Sequence, residues 1–186
     1  MRIVGGEFRG RNLAAPKTDA IRPTIDRTRE SLFNILMHAH PECLDGTRVL
    51  DLFAGTGAIG LEALSRGCRS ALFVENSVEG RGLLWENIDN LGLHGRAKIL
   101  RRDATDLGSV STMEPFHLLF ADPPYGKGLG EKAFAAADKG GWLVPGALAL
   151  LEERADVLVQ APEAFALLEE RIFGDTRISF FAYRPG

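Results

Sequence analysis

The sequence predicts an α/β fold, a doubly wound and mostly parallel sheet, on three observations. Short apolar strands alternate with helices from residue 47 onward, a glycine-rich turn joins the first of those strands to its helix, and the chain closes on a hairpin turned at Gly174-Asp175. Strands alternating with helices imply right-handed crossovers and parallel neighbours. The closing hairpin then adds an antiparallel strand at the sheet's edge.

The glycine turn lies in Arg48-Val-Leu-Asp-Leu-Phe-Ala-Gly-Thr-Gly-Ala-Ile-Gly60. Val49, Leu50 and Leu52 read as a buried strand, and Gly55, Gly57 and Gly60 follow at once, so the chain turns sharply into a helix near Thr56. Glycine has no Cβ, which lets backbone N–H groups at a helix start approach a ligand closely. Glu75 lies twenty residues after Gly55, ending the apolar run Ala71-Leu-Phe-Val74, where an acid should meet ribose hydroxyls. A turn of this kind can also be a packing device. If it binds a ligand, the choice is between a nicotinamide or flavin dinucleotide and S-adenosylmethionine. Asp51 favours the second, because a carboxylate opposes an anionic pyrophosphate and stabilises an ammonium.

Ahead of this turn, residues 2 to 13 alternate around Gly5-Gly6 and Gly10 and predict a basic hairpin that must lean on the main domain. After Pro23 a helix is expected, with Thr24 or Asp26 as N-cap and Leu32, Phe33, Leu36 and Met37 as its buried stripe. Pro41 and Asp45-Gly46 end that segment, which divides the chain into a basic extension over 1–40 and a main domain over 41–186. Within the main domain, strands are expected at Thr47 to Leu52, Ser70 to Glu75, Ala97 to Arg101, Phe116 to Ala121 and Ala147 to Leu151. Helices are expected at Gly57 to Arg66, Ser77 to Leu91 and Leu129 to Asp138, with a short helical turn after Arg101 and a closing hairpin of Leu167 to Phe173 and Arg177 to Tyr183.

A chain of 186 residues, 45% of them hydrophobic, can bury one substantial core. It holds no run of eighteen apolar residues, and Met1-Arg-Ile-Val-Gly-Gly-Glu lacks a signal peptide's apolar centre, so a soluble, cytoplasmic protein is expected; its expected assembly is a monomer. Cys43 and Cys68 lack metal-ligand spacing and the histidines are scattered; reduced thiols and no metal site are expected. The net charge is −3, but residues 1–40 hold seven basic against four acidic side chains, and the rest 15 against 21. This asymmetry puts the attraction for a polyanion at the N-terminal end, where Arg9, Arg11 and Arg22 can grip phosphates and Arg27 and Arg29 sit near the helix start. Solvated surface arginines are the alternative.

A second motif, Asp122-Pro-Pro-Tyr125, directly follows the fourth strand. Strand carboxyl ends face the ligand crevice of an open α/β sheet, so Asp122 should enter the cleft bordered by Gly55 and Gly57. The physical fit is with methylation of an exocyclic amine on a base, whose lone pair is delocalised into the ring. Asp122 can accept one amine hydrogen and the Pro123 carbonyl the other, which frees and aims that lone pair. Consecutive prolines hold both acceptors in place, and Tyr125 offers a face for stacking an unstacked base. Taken alone, the tetrapeptide can be a rigid turn. Gly126, Gly128 and Gly130 suggest a flap over the substrate, or an ordinary loop. Asp103 has a position suited to the adenine amino group and the Ala104 N–H to a ring nitrogen, although Asp103 can equally cap the short helix after it.

These blocks, together with Met1 to Arg11 and Arg22 to Leu36, resemble the RsmD-type bacterial 16S ribosomal RNA (guanine-N2) methyltransferases from the first residue to the closing hairpin. The resemblance implies a seven-stranded Rossmann-like methyltransferase sheet, S-adenosylmethionine as methyl donor, and N2 of one guanine in small-subunit ribosomal RNA as acceptor. It implies a catalytic set of Asp122, Pro123, Pro124 and Tyr125, and a cofactor set of Asp51, Phe53, Gly55, Gly57, Glu75, Asp103 and Ala104. RNA contacts are expected from the N-terminal hairpin and Arg22 to Arg29, with Arg9, Arg11, Arg22 and Arg27 as the named set. Asn76-Ser77 departs from the family's usual pattern after Glu75, and the C-terminal third matches weakly. DNA adenine-N6 methylation is the rival within enzymes, weakened by the lack of a separate target-recognition domain. Release-factor glutamine methylation usually goes with Asn at position 122. A nicotinamide oxidoreductase and a non-catalytic RNA-binding module are the alternatives from other classes.

Overall fold

The computed structural model describes residues 1–17 and 25–186. Thr24 and Arg22, expected to cap a helix and grip a phosphate, lie outside the described residues.

The apolar runs form the strands of one seven-stranded sheet. In chain order these are β1 (Arg48–Leu52), β2 (Ser70–Val74), β3 (Ala97–Leu100), β4 (Phe116–Ala121), β5 (Leu143–Arg154), β6 (Phe165–Phe173) and β7 (Thr176–Tyr183). Their spatial order is β3-β2-β1-β4-β5-β7-β6. The first five neighbours are parallel, and β7 runs antiparallel to both β5 and β6. The antiparallel strand thus stands one place in from the edge, because the second arm of the hairpin pairs with β5 from Leu148↔Ala182 to Arg154↔Thr176. That pairing also explains why β5 is longer than its apolar run: Glu152 to Arg154 find partners on β7. Between Phe116↔Leu143 and Leu118↔Leu148 the register shifts, and Pro145, which has no N–H to donate, falls in that irregular stretch.

Helices α1 (Asp26–Ala39), α2 (Ala58–Ser65), α3 (Val78–Asn90) and α4 (Leu129–Lys139) cover the sheet's faces. Side chains of a strand alternate between faces, so each strand feeds two cores. Val49, Ala71, Phe73, Leu118, Phe120, Leu150 and Phe180 pack with α1, α2 and α3; Leu50, Leu72, Val74, Leu119, Ala149, Leu151 and Phe181 pack with α4 and Trp142. On α1 the buried residues are Arg29, Leu32, Phe33 and Leu36, whereas Met37 is half exposed. Asp26 is the first residue of α1 rather than its cap, and no side chain caps this end. Ser77 caps α3, accepting the Gly80 N–H at 3.0 Å. The short helical turn expected after Arg101 is a single hydrogen-bonded turn, Asp106 N–H to the Asp103 carbonyl at 3.0 Å.

The N-terminal hairpin closes through one antiparallel bridge, Arg2↔Asn12, flanked by Ile3 N–H to Arg11 O and Leu13 N–H to Met1 O, both 2.9 Å. Ile3 and Leu13 are buried in the first core. Glu62, fully buried on α2, accepts the Val4 and Gly5 N–H groups at 3.0 Å each, and Ser65 Oγ accepts that of Phe8 at 2.9 Å. The hairpin therefore leans on α2, as a ribbon too short to stand alone must. No described helix is long and apolar enough to cross a membrane.

Candidate active site

β1 and β4 are neighbours, with Leu52 beside Ala121, so their tips deliver the glycine turn and Asp122 to the same place. Gly55 and Asp122 line one cavity of about 660 Å³, together with Asp51, Phe53, Glu75, Asp103, Ala104, Pro123 and Pro124. That volume falls in the range of small-molecule sites, roughly 300–1,000 Å³.

The turn begins at Phe53, a bulky residue held at φ 56°, which costs on the order of 1–3 kcal/mol and reverses the chain directly after the strand. Ala54 N–H then reaches Val74 O at 3.1 Å, and Gly55 N–H reaches Glu75 Oε1 at 2.7 Å. Glu75 Oε2 accepts the Ser77 N–H at 2.8 Å, so this one carboxylate ties the turn to the tip of β2. Gly57 has a different role from the one expected. It is absent from the cavity wall, caps α2 in the left-handed region at φ 80°, and a Cβ there would lie 2.2 Å from Leu84 Cδ1. Gly57 lets the turn pack against α3, while Gly55 lines the cavity.

Asp51 is buried at 3% exposure, and Gly60 N–H reaches its Oδ2 at 3.0 Å. Burial pushes its carboxyl up from 3.8 to about 8, against the Gly60 N–H and reinforced by the charge of Glu75. Asp103 is held below the usual carboxylate range by Thr105, whose hydroxyl and N–H both bond its Oδ1, at 2.7 and 2.8 Å. The turn-capping role of Asp103 is therefore real, and it leaves Asp103 at the cavity wall.

The donor set tests the cofactor. Asp51, Glu75 and Asp103 line the cavity, while the guanidinium of Arg102, also at the wall, donates to the Leu107 carbonyl at 2.6 Å. With Glu79 and Asp122 the lining carries five acids, which oppose a pyrophosphate. An ammonium beside Asp51 would relieve the penalty that keeps this carboxyl protonated, and a ribose diol and an adenine amine suit Glu75 and Asp103.

At the other wall stand Asp122, Pro123 and Pro124. Tyr125 is not among the lining residues: its hydroxyl donates to Glu152 Oε1 at 2.7 Å and lies 3.2 Å from Thr176 Oγ1. Burial pushes its pKa up, reinforced by the Glu152 charge. Gly126 N–H donates to Glu153 Oε1 at 3.0 Å, so the segment expected as a flap is anchored at its start, and Leu129 brings α4 to the cavity. Glu152 and Glu153, both buried, are site-building residues that sequence reasoning missed. Their signal was an adjacent acid pair ending the apolar run Ala147 to Leu151.

The arginines divide. Arg9 and Arg27 are exposed, and their side chains make no hydrogen bond or ion pair with described residues. Arg11 is exposed and donates to Asn90 O at 2.7 Å. Arg29, expected among the RNA contacts, is fully buried: Nε lies 3.4 Å from Glu62 Oε1, and one terminal nitrogen donates to Asp26 Oδ1 at 2.9 Å and to the Arg2 carbonyl. It fastens hairpin, α1 and α2 together.

An acid-lined cavity of this kind, at the tips of adjoining parallel strands, is that of a Rossmann-like methyltransferase using S-adenosylmethionine. Comparison with known proteins agrees and is narrower. The family described as Conserved hypothetical protein 95 matches residues 1–182, and the chain belongs to it. The chain is 37% identical over 176 residues to the Ribosomal RNA small subunit methyltransferase D of Escherichia coli K12, covering 94% of this chain and 85% of that protein. The structure of a putative methyltransferase from Escherichia coli superposes with a TM-score of 0.83 at 33% identity, over 100% of this chain and 99% of the other. A T. thermophilus 16S rRNA N2 methyltransferase, solved with AdoMet and guanosine, shares the fold at TM-score 0.66 and 21% identity, over 87% of this chain and 44% of its own.

Proposed function

We propose that this protein methylates the exocyclic N2 of a guanine in small-subunit ribosomal RNA. The observation that carries the proposal is the single cavity shared by Gly55 and Asp122, and the names of the relatives supply the substrate class. When bound, S-adenosylmethionine supplies an electrophilic sulfonium methyl. Asp51 holds the ammonium, Glu75 the ribose hydroxyls, and Asp103 with the Ala104 N–H the adenine edge. Asp122 accepts one hydrogen of the guanine amine and the Pro123 carbonyl the other, which orients the nitrogen lone pair toward the methyl. Asp122 need not be a strong base, because the methylated nitrogen is acidic and its proton leaves afterwards to Asp122 or water. Tyr125, its hydroxyl held by Glu152, offers a ring for the unstacked base. The segment 1–40 contacts RNA through Arg9, Arg11, Arg22 and Arg27, and the protein acts as a cytoplasmic monomer.

The test is nucleoside mass spectrometry of 16S RNA and small-subunit particles incubated with protein and S-adenosylmethionine. N2-methylguanosine is expected. Asp122→Ala should lower the rate by roughly 10²–10³-fold while S-adenosylhomocysteine affinity stays within about threefold. Transfer that survives the substitution contradicts the assigned chemistry, and N6-methyladenosine made in DNA instead contradicts the substrate.

A further inference from the structure

Thr56, between the two glycines of the turn, lines the cavity, and its backbone carbonyl accepts a hydrogen bond from Asn87 Nδ2 at 2.9 Å. Asn87 is 1% exposed on α3, and the same carboxamide reaches the N-terminal segment: Ala14 N–H donates to its Oδ1 at 2.6 Å, and its Nδ2 lies 3.4 Å from Ala14 O. Thr56 Oγ1 lies 3.6 Å from Met1 Sδ, so both ends of the hairpin meet this one residue of the turn, directly or through one side chain. A buried amide bonded on both sides cannot rotate without leaving polar groups unpaired. One carboxamide thus joins the Thr56 carbonyl to Ala14.

We infer that Asn87 is a positioning residue coupling occupancy of the cofactor cavity to the placement of the N-terminal segment, so that cofactor and RNA strengthen each other's binding. The RNA half rests on the function proposed above. By linkage the coupling is reciprocal, with a factor of roughly fivefold or more expected.

Two measurements keep the failures apart. The first uses no RNA: hydrogen exchange of the amides of Ile3, Leu13 and Ala14, with and without S-adenosylhomocysteine. In the unsubstituted protein the ligand should slow these amides by roughly fivefold, and in Asn87→Ala by less than about twofold. The second measures affinity for a 16S RNA fragment with and without S-adenosylhomocysteine, where the same contrast is expected. A purely structural asparagine would lower stability and leave the ligand response intact. Should Asn87→Ala fail to fold, Ala14→Pro removes the N–H that meets Oδ1, and the response of the Ile3 and Leu13 amides should be lost in the same way. Slowed exchange without any RNA binding overturns the RNA reading and keeps the coupling. An unresponsive unsubstituted protein, or an equal response in the substituted ones, overturns the coupling.

Discussion

Asp51 is a carboxyl in the wrong solvent, and its titration should be visible in both stability and binding. Its pKa in the ligand-free fold is about 8, against an ordinary value of 3.8. Between those values the fold holds a proton that the unfolded chain releases, so stability falls as pH rises through the window and levels off above about 8. Asp51→Asn should remove this descent, and urea unfolding without ligand at pH 5 and pH 8 checks it: the variant gains on the parent toward pH 8. Binding should run the other way. An ammonium beside Asp51 favours the ionised form, so S-adenosylhomocysteine affinity rises with pH up to about 8. Asp51→Asn should weaken it roughly ten- to a hundredfold at pH 8, the loss of a charged hydrogen bond of about 1.5–3 kcal/mol, with the rise abolished in calorimetry.

At the scale of elements, the joints between helices and strands are built of residues that tolerate little change. Gly57 at φ 80° ends the turn, and any Cβ there meets Leu84. Gly57→Ala should cost about 2 kcal/mol from the left-handed backbone alone, lowering Tm by roughly 4–8 °C in a thermal unfolding scan. The hairpin, α1 and α2 meet at Glu62, whose buried carboxylate bonds Arg29, Arg66, Val4 and Gly5. Arg29→Ala removes a buried guanidinium that bonds Glu62, Asp26 and the Arg2 carbonyl, and with Glu62 still paired to Arg66 it should destabilise by about 1.5–3 kcal/mol in urea unfolding. If Arg29 instead served RNA, stability would be unchanged and only RNA affinity would fall. Sequence patterning located α1 to α4, yet it left Arg29 out of the buried stripe of α1, and the family resemblance placed it in the RNA-contacting stretch. An arginine on a helix reads as solvent-facing unless its buried acid, here 33 positions away, is known to stand opposite.

For the whole molecule, charge is divided between an acid-lined cavity and an N-terminal surface with exposed Arg9, Arg11 and Arg27. A net charge of −3 makes strong non-specific binding of RNA an unfavourable default, so local arginines must carry the attraction. Arg9→Ala and Arg27→Ala should each weaken binding to a 16S fragment and reduce the salt slope by about 0.7, the increment for one phosphate contact on single-stranded nucleic acid. Cofactor affinity should be unchanged in both. An unchanged slope would show these side chains to be ordinary solvated surface.

The sequence by itself determined what has short-range causes: the strand-to-helix alternation, the glycine turn after Asp51, and Asp122-Pro-Pro at the tip of a strand. From these the shared cavity arises, because parallel strands align their carboxyl ends. Tertiary structure alone decided that Gly57 packs where Gly55 faces the cavity, that Tyr125 turns its hydroxyl to Glu152, that β7 inserts between β5 and β6, and that Arg29 is interior. Each of these outcomes depends on a partner distant in the chain. No window of neighbouring residues contains the group that supplies the hydrogen bond, the clash or the opposite charge.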